Sequence, residues 1–166
     1  MTMTLRSTVF EDGGAIPPKY TAEGENASPP LQWSDPPEGT KTLALIVDDP
    51  DAPGEQDFTH WVIFNIPRHM RDLPEGVAPR PTLQDDIAQG QNDFGQLGYG
   101  GPQPPGDETH KYHFHLYALD SGFDAEPGLS KGDLLERMQG HILAEGQMFG
   151  IYRKMPRTIE EEQTKG

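Results

Sequence analysis

A mainly β protein of many short strands, with helical structure confined to the C-terminal third, is the fold class this sequence predicts. Three observations carry the prediction. The 166 residues include 19 Gly and 17 Pro, which interrupt the chain too often for long helices. Two segments, Thr42 to Val47 and Lys111 to Leu119, are rich in the β-branched, aromatic and apolar residues of strands. Ser130 with Asp133 makes an N-cap and capping-box start ahead of an apolar stretch. The length is that of one domain, residues 1–166, able to bury roughly two-thirds of its unfolded surface.

Taken in order, Leu5 to Tyr20 carries a short apolar run (Val9, Phe10, Ile16) through Gly13-Gly14 and Pro17-Pro18 and reads as strand, turn and irregular entry. Leu31, Gln32 and Trp33 lie between Pro-rich flanks, the pattern of a short edge strand, where Pro is tolerated. Thr42 to Val47 reads as a central strand buried on both faces and runs into the loop Asp48 to Gly54. His60 to Ile66 is the next strand, stopped by Pro67. Arg68 to Gly98 is polar and long for a loop unless functional or partly structured, and no element is assigned to it. Gly98 to Gly106 is a rigid irregular loop, and Lys111 to Leu119 is the clearest strand. Leu134, Leu135, Met138, Ile142 and Phe149 recur near helical spacing, predicting a helix, or a helix pair broken near Gly140, that packs one face on the sheets. The acidic tail at Glu160 to Glu162 is expected to fray.

Composition excludes several function classes. Without cysteine there are no disulfides, thiolate metal sites or thiol nucleophiles. A net charge of -14 argues against nucleic acid, whose phosphates are gripped by clustered Lys and Arg, and reads as a solvated surface. No stretch approaches the ~20 apolar residues that span a bilayer, and the N-terminus lacks a signal-peptide pattern, so a cytoplasmic protein is expected. The G-x-S-x-G, P-loop, H-E-x-x-H and Rossmann patterns are missing, so no enzyme class, catalytic residue or cofactor is predicted.

Two polar loops on apolar strands concentrate the unusual residues. Asp49 and Asp51 flank Pro50, whose ring fixes its own φ and pushes Asp49 toward extended geometry. Taken alone, Asp-Pro-Asp is also the pattern of an Asx turn. A carboxylate can hold an imidazole in one tautomer, and Asp49 has His60 and His110 as candidate partners. Alternation along the second strand puts His110, Tyr112, Phe114 and Leu116 on one face, and Lys111, His113, His115 and Tyr117 on the other. His110 and Tyr112 offer an imidazole and a phenol to a ligand oxygen, and the amides near Gly100 and Gly101 offer further donors. His113 and His115 have zinc-like spacing but no evident third ligand, so no metal is predicted. Trp33, Trp61 and Phe64 are assigned to the core.

The motifs Asp49-Pro50-Asp51-Ala52-Pro53, then His60 to Pro67, then Gly98-Tyr99-Gly100-Gly101-Pro102 through His110-Lys111-Tyr112, with His141 to Ala144 and Gly150-x-Tyr152, resemble the phosphatidylethanolamine-binding family in its prokaryotic, Raf-kinase-inhibitor-like branch. The resemblance covers nearly the whole chain. It implies an antiparallel two-sheet β-sandwich with short peripheral and C-terminal helices, and a small pocket for phosphate-like anions or the phosphoryl end of a larger ligand. By position, Asp49, Asp51, His60, His110 and Tyr112 match the family's pocket residues, with Gly101, Pro102 and the loop to Pro104 at the rim. The family usually has Arg where Lys111 stands; Lys lacks the bidentate fork, so a carboxylate pairing that orders this loop is expected to be looser.

The expectation is a ligand-binding or regulatory protein for a small phosphorylated or anionic ligand. The alternatives are a hydrolase using a His-Asp pair, and a kinase or protease inhibitor acting through surface loops. A protein partner and a homodimer stay open.

Overall fold

The computed structural model describes residues 2–54, 56–124 and 128–154; the acidic tail lies outside them. Strands β1 (Leu5–Ser7), β2 (Leu31–Trp33), β3 (Thr42–Asp49), β4 (Phe58–Pro67), β5 (Asp72–Leu73), β6 (Ala88–Gln89) and β7 (His110–Leu119) precede helix α1 (Lys131–Met138) and strand β8 (Ile142–Tyr152). They form two antiparallel sheets, one in the order β1-β2-β5 and one in the order β6-β4-β3-β7-β8. The main core lies between the sheets, where Leu5, Leu31, Trp33 and Leu73 meet Leu45, Trp61, Ile63, Phe114 and Leu116. A second cluster packs Leu134 and Met138 of α1 on Ala44, Ile46, Val62 and Phe64 across the other face of the large sheet. With apolar packing on both faces, β3 and β4 need apolar runs rather than alternation. β7 buries mainly alternate residues, and the alternating face expected for it is the inner one. No helix among the described residues is long and apolar enough to cross a membrane.

Two sequence expectations are corrected. The segment β2 is not an edge strand: it pairs with β1 on one side and β5 on the other. The prolines flank its three residues, so no ladder donor is lost to them. The second helix beyond Gly140 does not exist. Helix α1 starts as expected, Ser130 accepting from Asp133 N in a complete capping box, but ends at Met138, and residues 142–152 form the strand β8. The inward residues of β8 are Ala144, Gly146, Met148, Gly150 and Tyr152; two glycines in that series erase the period-2 apolar signal. These glycines are steric requirements. A Cβ on Gly146 would come to 2.7 Å from Met3 O, and one on Gly150 to 2.5 Å from Ile16 Cγ1. The N-terminal segment needs that space because it runs along β8, with Met3 N donating to Glu145 O, Gly13 N to Phe149 O and Ile16 N to Ile151 O.

Candidate functional site

Antiparallel order brings the end of β3 and the starts of β4 and β7 to one end of the large sheet, with Asp49 opposite Phe58 and Asp48 opposite His113. There Asp49, Ala52, Pro53, Phe58, His60, Phe94, Gln103, Pro104, Pro105, His110 and Tyr112 enclose a cavity of about 230 Å³. That volume is below the usual range for drug-sized ligands.

His60 reaches this cavity through an irregularity. Strict alternation from Val62 and Phe64, which pack toward α1, would turn His60 to the outer face. The register instead steps from Val47 opposite Trp61 to Asp48 opposite Thr59, leaving His60 as the extra residue of a β-bulge. Its ring stands edge-on to Tyr112, an inner-face residue, with centroids 5.2 Å apart. Gly100 then grips it twice: Gly100 N donates to His60 O, and His60 Nδ1 donates to Gly100 O at 2.6 Å. A side chain on Gly100 would run into the Phe94 ring 2.6 Å away.

Of the two imidazoles open to Asp49, the structure pairs His110, whose Nδ1 donates to Asp49 Oδ2 at 2.6 Å with both side chains buried. Asp49 Oδ1 accepts from Asp51 N, the Asx arrangement that Asp-Pro-Asp also suggested. Among the described residues no buried side-chain polar atom lacks a partner. The remaining ring nitrogens of His60 and His110 and the Tyr112 hydroxyl make no hydrogen bond there, so they open to the cavity. Burial pushes His60 below its ordinary value, against the raising influence of the Gly100 bond and of Asp49. Burial, reinforced by Asp49, pushes the Tyr112 phenol up, so it stays a donor.

Asp51, Gly101 and Pro102 do not line the cavity. Asp51 Oδ2 accepts from the Lys111 backbone N at 2.9 Å, tying the two loops together. Because the tie uses the main chain, it does not draw on the side chain at 111, whose ammonium lies 5.5 Å from the Phe149 ring centroid. Gly101 N donates to Asn26 Oδ1 and Pro102 O accepts from Ala22 N, which fixes the rim from below. A Cβ on Gly101 would lie 2.4 Å from Tyr20 O.

Sequence reasoning missed the aromatic wall. Phe58 and Phe94 lie 4.7 Å apart, each against the His60 ring. Phe94 stands on a turn built by Asn92, whose Oδ1 accepts from Phe94 N and Gln96 N, and docked on β4 by Asp93, whose Oδ2 accepts from Thr59 N. The signal was Asn92-Asp93-Phe94-Gly95, a side-chain-capped turn with Gly95 at φ 81°. His113 and His115 stack 6.0 Å apart on the outer face, where His115 and Lys131 reach Asp48. Among the described residues no group of three or more His, Asp or Glu is placed to hold a metal ion.

A small cavity walled by rings and prolines lies at one end of a two-sheet antiparallel scaffold, which defines the chain as a mainly β protein of that architecture. The chain belongs to the phosphatidylethanolamine-binding protein family, whose model matches residues 6–153. A UPF0098 protein of Methanothermobacter thermautotrophicus is 53% identical over 152 residues, 92% of this chain and 99% of the relative. A UPF0098 protein of Chlamydia muridarum is 42% identical over 156 residues, covering 92% and 99%. Among solved structures, a phosphatidylethanolamine-binding protein homologue from Chlamydia trachomatis aligns with a TM-score of 0.84 at 40% identity, over 93% of this chain and 99% of that one. YbcL of E. coli, described as a member of the mammalian family, aligns with a TM-score of 0.85 at 32% identity, over 93% and 100%. None of these names is that of an enzyme.

Proposed function

We propose that the protein binds a small phosphoryl-bearing anion in the cavity between β3, β4 and β7, and acts as a ligand-binding or regulatory protein without turning the ligand over. The observation that carries this reading is the meeting of His60, His110 and Tyr112 on one preformed cavity, with Asp49 behind His110. Asp49 takes the hydrogen on His110 Nδ1, so Nε2 faces the ligand, and the carboxylate balances the imidazolium form in which Nε2 also carries a hydrogen for a ligand oxygen; the Tyr112 hydroxyl is a second donor. Rings and prolines around these groups lower the local dielectric, which strengthens charge-assisted hydrogen bonds. The volume suits a headgroup rather than a lipid's acyl chains. A cytoplasmic setting belongs to the same reading.

The test is a titration with phosphate and phosphoethanolamine, following the imidazole NMR signals of the six histidines. Saturable shifts at His60 and His110 alone are expected; silence at both with millimolar anion sinks the proposal.

The 2.6 Å Asp49–His110 pair also supports a second reading, general-base hydrolysis, worth about 10²- to 10⁴-fold from such a base. Phosphate-ester turnover that disappears in His110→Ala would favour it over binding alone.

A further inference from the structure

Among the described residues, those lining the cavity include no lysine or arginine, and the carboxylate among them is already committed. Asp49 Oδ2 is taken by His110 and Oδ1 by Asp51 N. What a ligand meets is set by hydrogen bonds made elsewhere on each ring. A carbonyl oxygen only accepts, so the Gly100 contact requires the hydrogen on His60 Nδ1, and the neutral ring presents Nε2 as a bare lone pair. Burial keeps that neutral form, although Asp49 and Asp48 from β3 and Asp93 from the neighbouring turn favour the charged one. Across the cavity, β7 supplies His110 and Tyr112 as the other titratable groups, with Tyr112 a fixed donor. The cavity therefore sets the His60 lone pair beside the Tyr112 donor and beside His110, which, backed by a carboxylate where His60 has a carbonyl, donates from Nε2 as the imidazolium that Asp49 balances. An oxyanion bearing no hydrogen would place a charged oxygen against a lone pair.

Resting on the reading that this cavity takes a phosphoryl group, we propose that it recognises the group in a form that still carries hydrogen: a P–OH donates to His60 Nε2 while charged oxygens accept from Tyr112 and His110. His60 is then the specificity-determining residue. Inorganic phosphate meets the requirement throughout the neutral range. A phosphomonoester meets it only as its monoanion. Sulfate, alike in size and shape, does not meet it.

Calorimetric titration of the full chain with inorganic phosphate, sulfate and methyl phosphate at constant ionic strength decides the matter. Phosphate is expected to bind at least about tenfold tighter than sulfate, because a site built for a donor rejects the analogue that lacks it. Methyl phosphate is expected to weaken about tenfold per pH unit above its second ionisation near pH 6. In His60→Gln the amide can turn its NH₂ or its oxygen inward, so the phosphate-to-sulfate ratio is expected to fall toward one, with the melting temperature reporting the fold. If that variant does not fold, the wild-type ratio and the ester's pH profile decide alone. Equal affinity for phosphate and sulfate with a flat ester profile, while the His60 and His110 signals still respond, overturns this recognition and leaves phosphoryl binding standing. No response to any of the three anions removes both.

Discussion

Each imidazole at the cavity is oriented by one neighbour, His110 by Asp49 and His60 by Gly100, which makes single substitutions informative. Asp49→Asn keeps the size but removes the charge that orients His110. Phosphate affinity is expected to fall by roughly ten- to a hundredfold, the value of a hydrogen bond to a charged partner, with the loss read by calorimetry. His60 couples the site to pH through stability. Its folded value is depressed below 6.5, so the unfolded chain takes up the proton first as the pH falls. The contribution is complete above about pH 6.5 and is lost as the pH drops toward the folded value. Urea unfolding from about pH 7.5 down to about pH 5 is expected to show wild-type stability falling more steeply than that of His60→Gln. Asp49, His110 and Tyr112 were legible in the sequence because they sit where alternation and a Pro-fixed loop put them. The face that His60 presents was not, since a bulge is a property of the pairing and leaves no mark on one strand read alone. Phe94 was hidden for a related reason: its turn gains its place only by docking on Thr59 of another element.

At the scale of elements, the long strands were readable because their burial is uniform, on both faces in β3 or alternately in β7. The helix start was readable from its cap; the strand after it was not, because Gly146 and Gly150 stand where apolar side chains would have shown the period. The same glycines give a sharp test. Gly150→Ala drives a methyl into Ile16 and Phe10 and is expected to destabilise by about 1–3 kcal/mol, with faster amide exchange at Gly13 and Ile16. Helix α1 is anchored by a different device. Burial pushes Asp48 up, but hydrogen bonds from His115 and Lys131 outweigh it and hold the carboxyl below its usual value. Lys131→Met removes the 2.6 Å partner and leaves the buried charge with His115 alone. A loss of about 1–3 kcal/mol in chemical denaturation is expected, discounted because Lys131 remains partly exposed.

For the molecule as a whole, the charge of -14 sets how an anion approaches. The repulsion is long-ranged and screened by salt, whereas the hydrogen bonds in the cavity are short-ranged. Phosphate affinity is therefore expected to strengthen modestly as a non-competing salt is raised from about 20 to about 200 mM, the reverse of a site built on surface lysines. The N-terminal segment along β8 also shapes how the molecule comes to exist. Its partners Glu145, Phe149 and Ile151 belong to the last strand among the described residues, so their pairing closes the longest loop between paired segments there. Until that closure the backbone of β8 is a bare template able to recruit a strand from another molecule. The race between self-closure and recruitment depends on concentration, so the segment that carries Met3, Gly13 and Ile16 contributes to the yield of refolding as well as to its equilibrium.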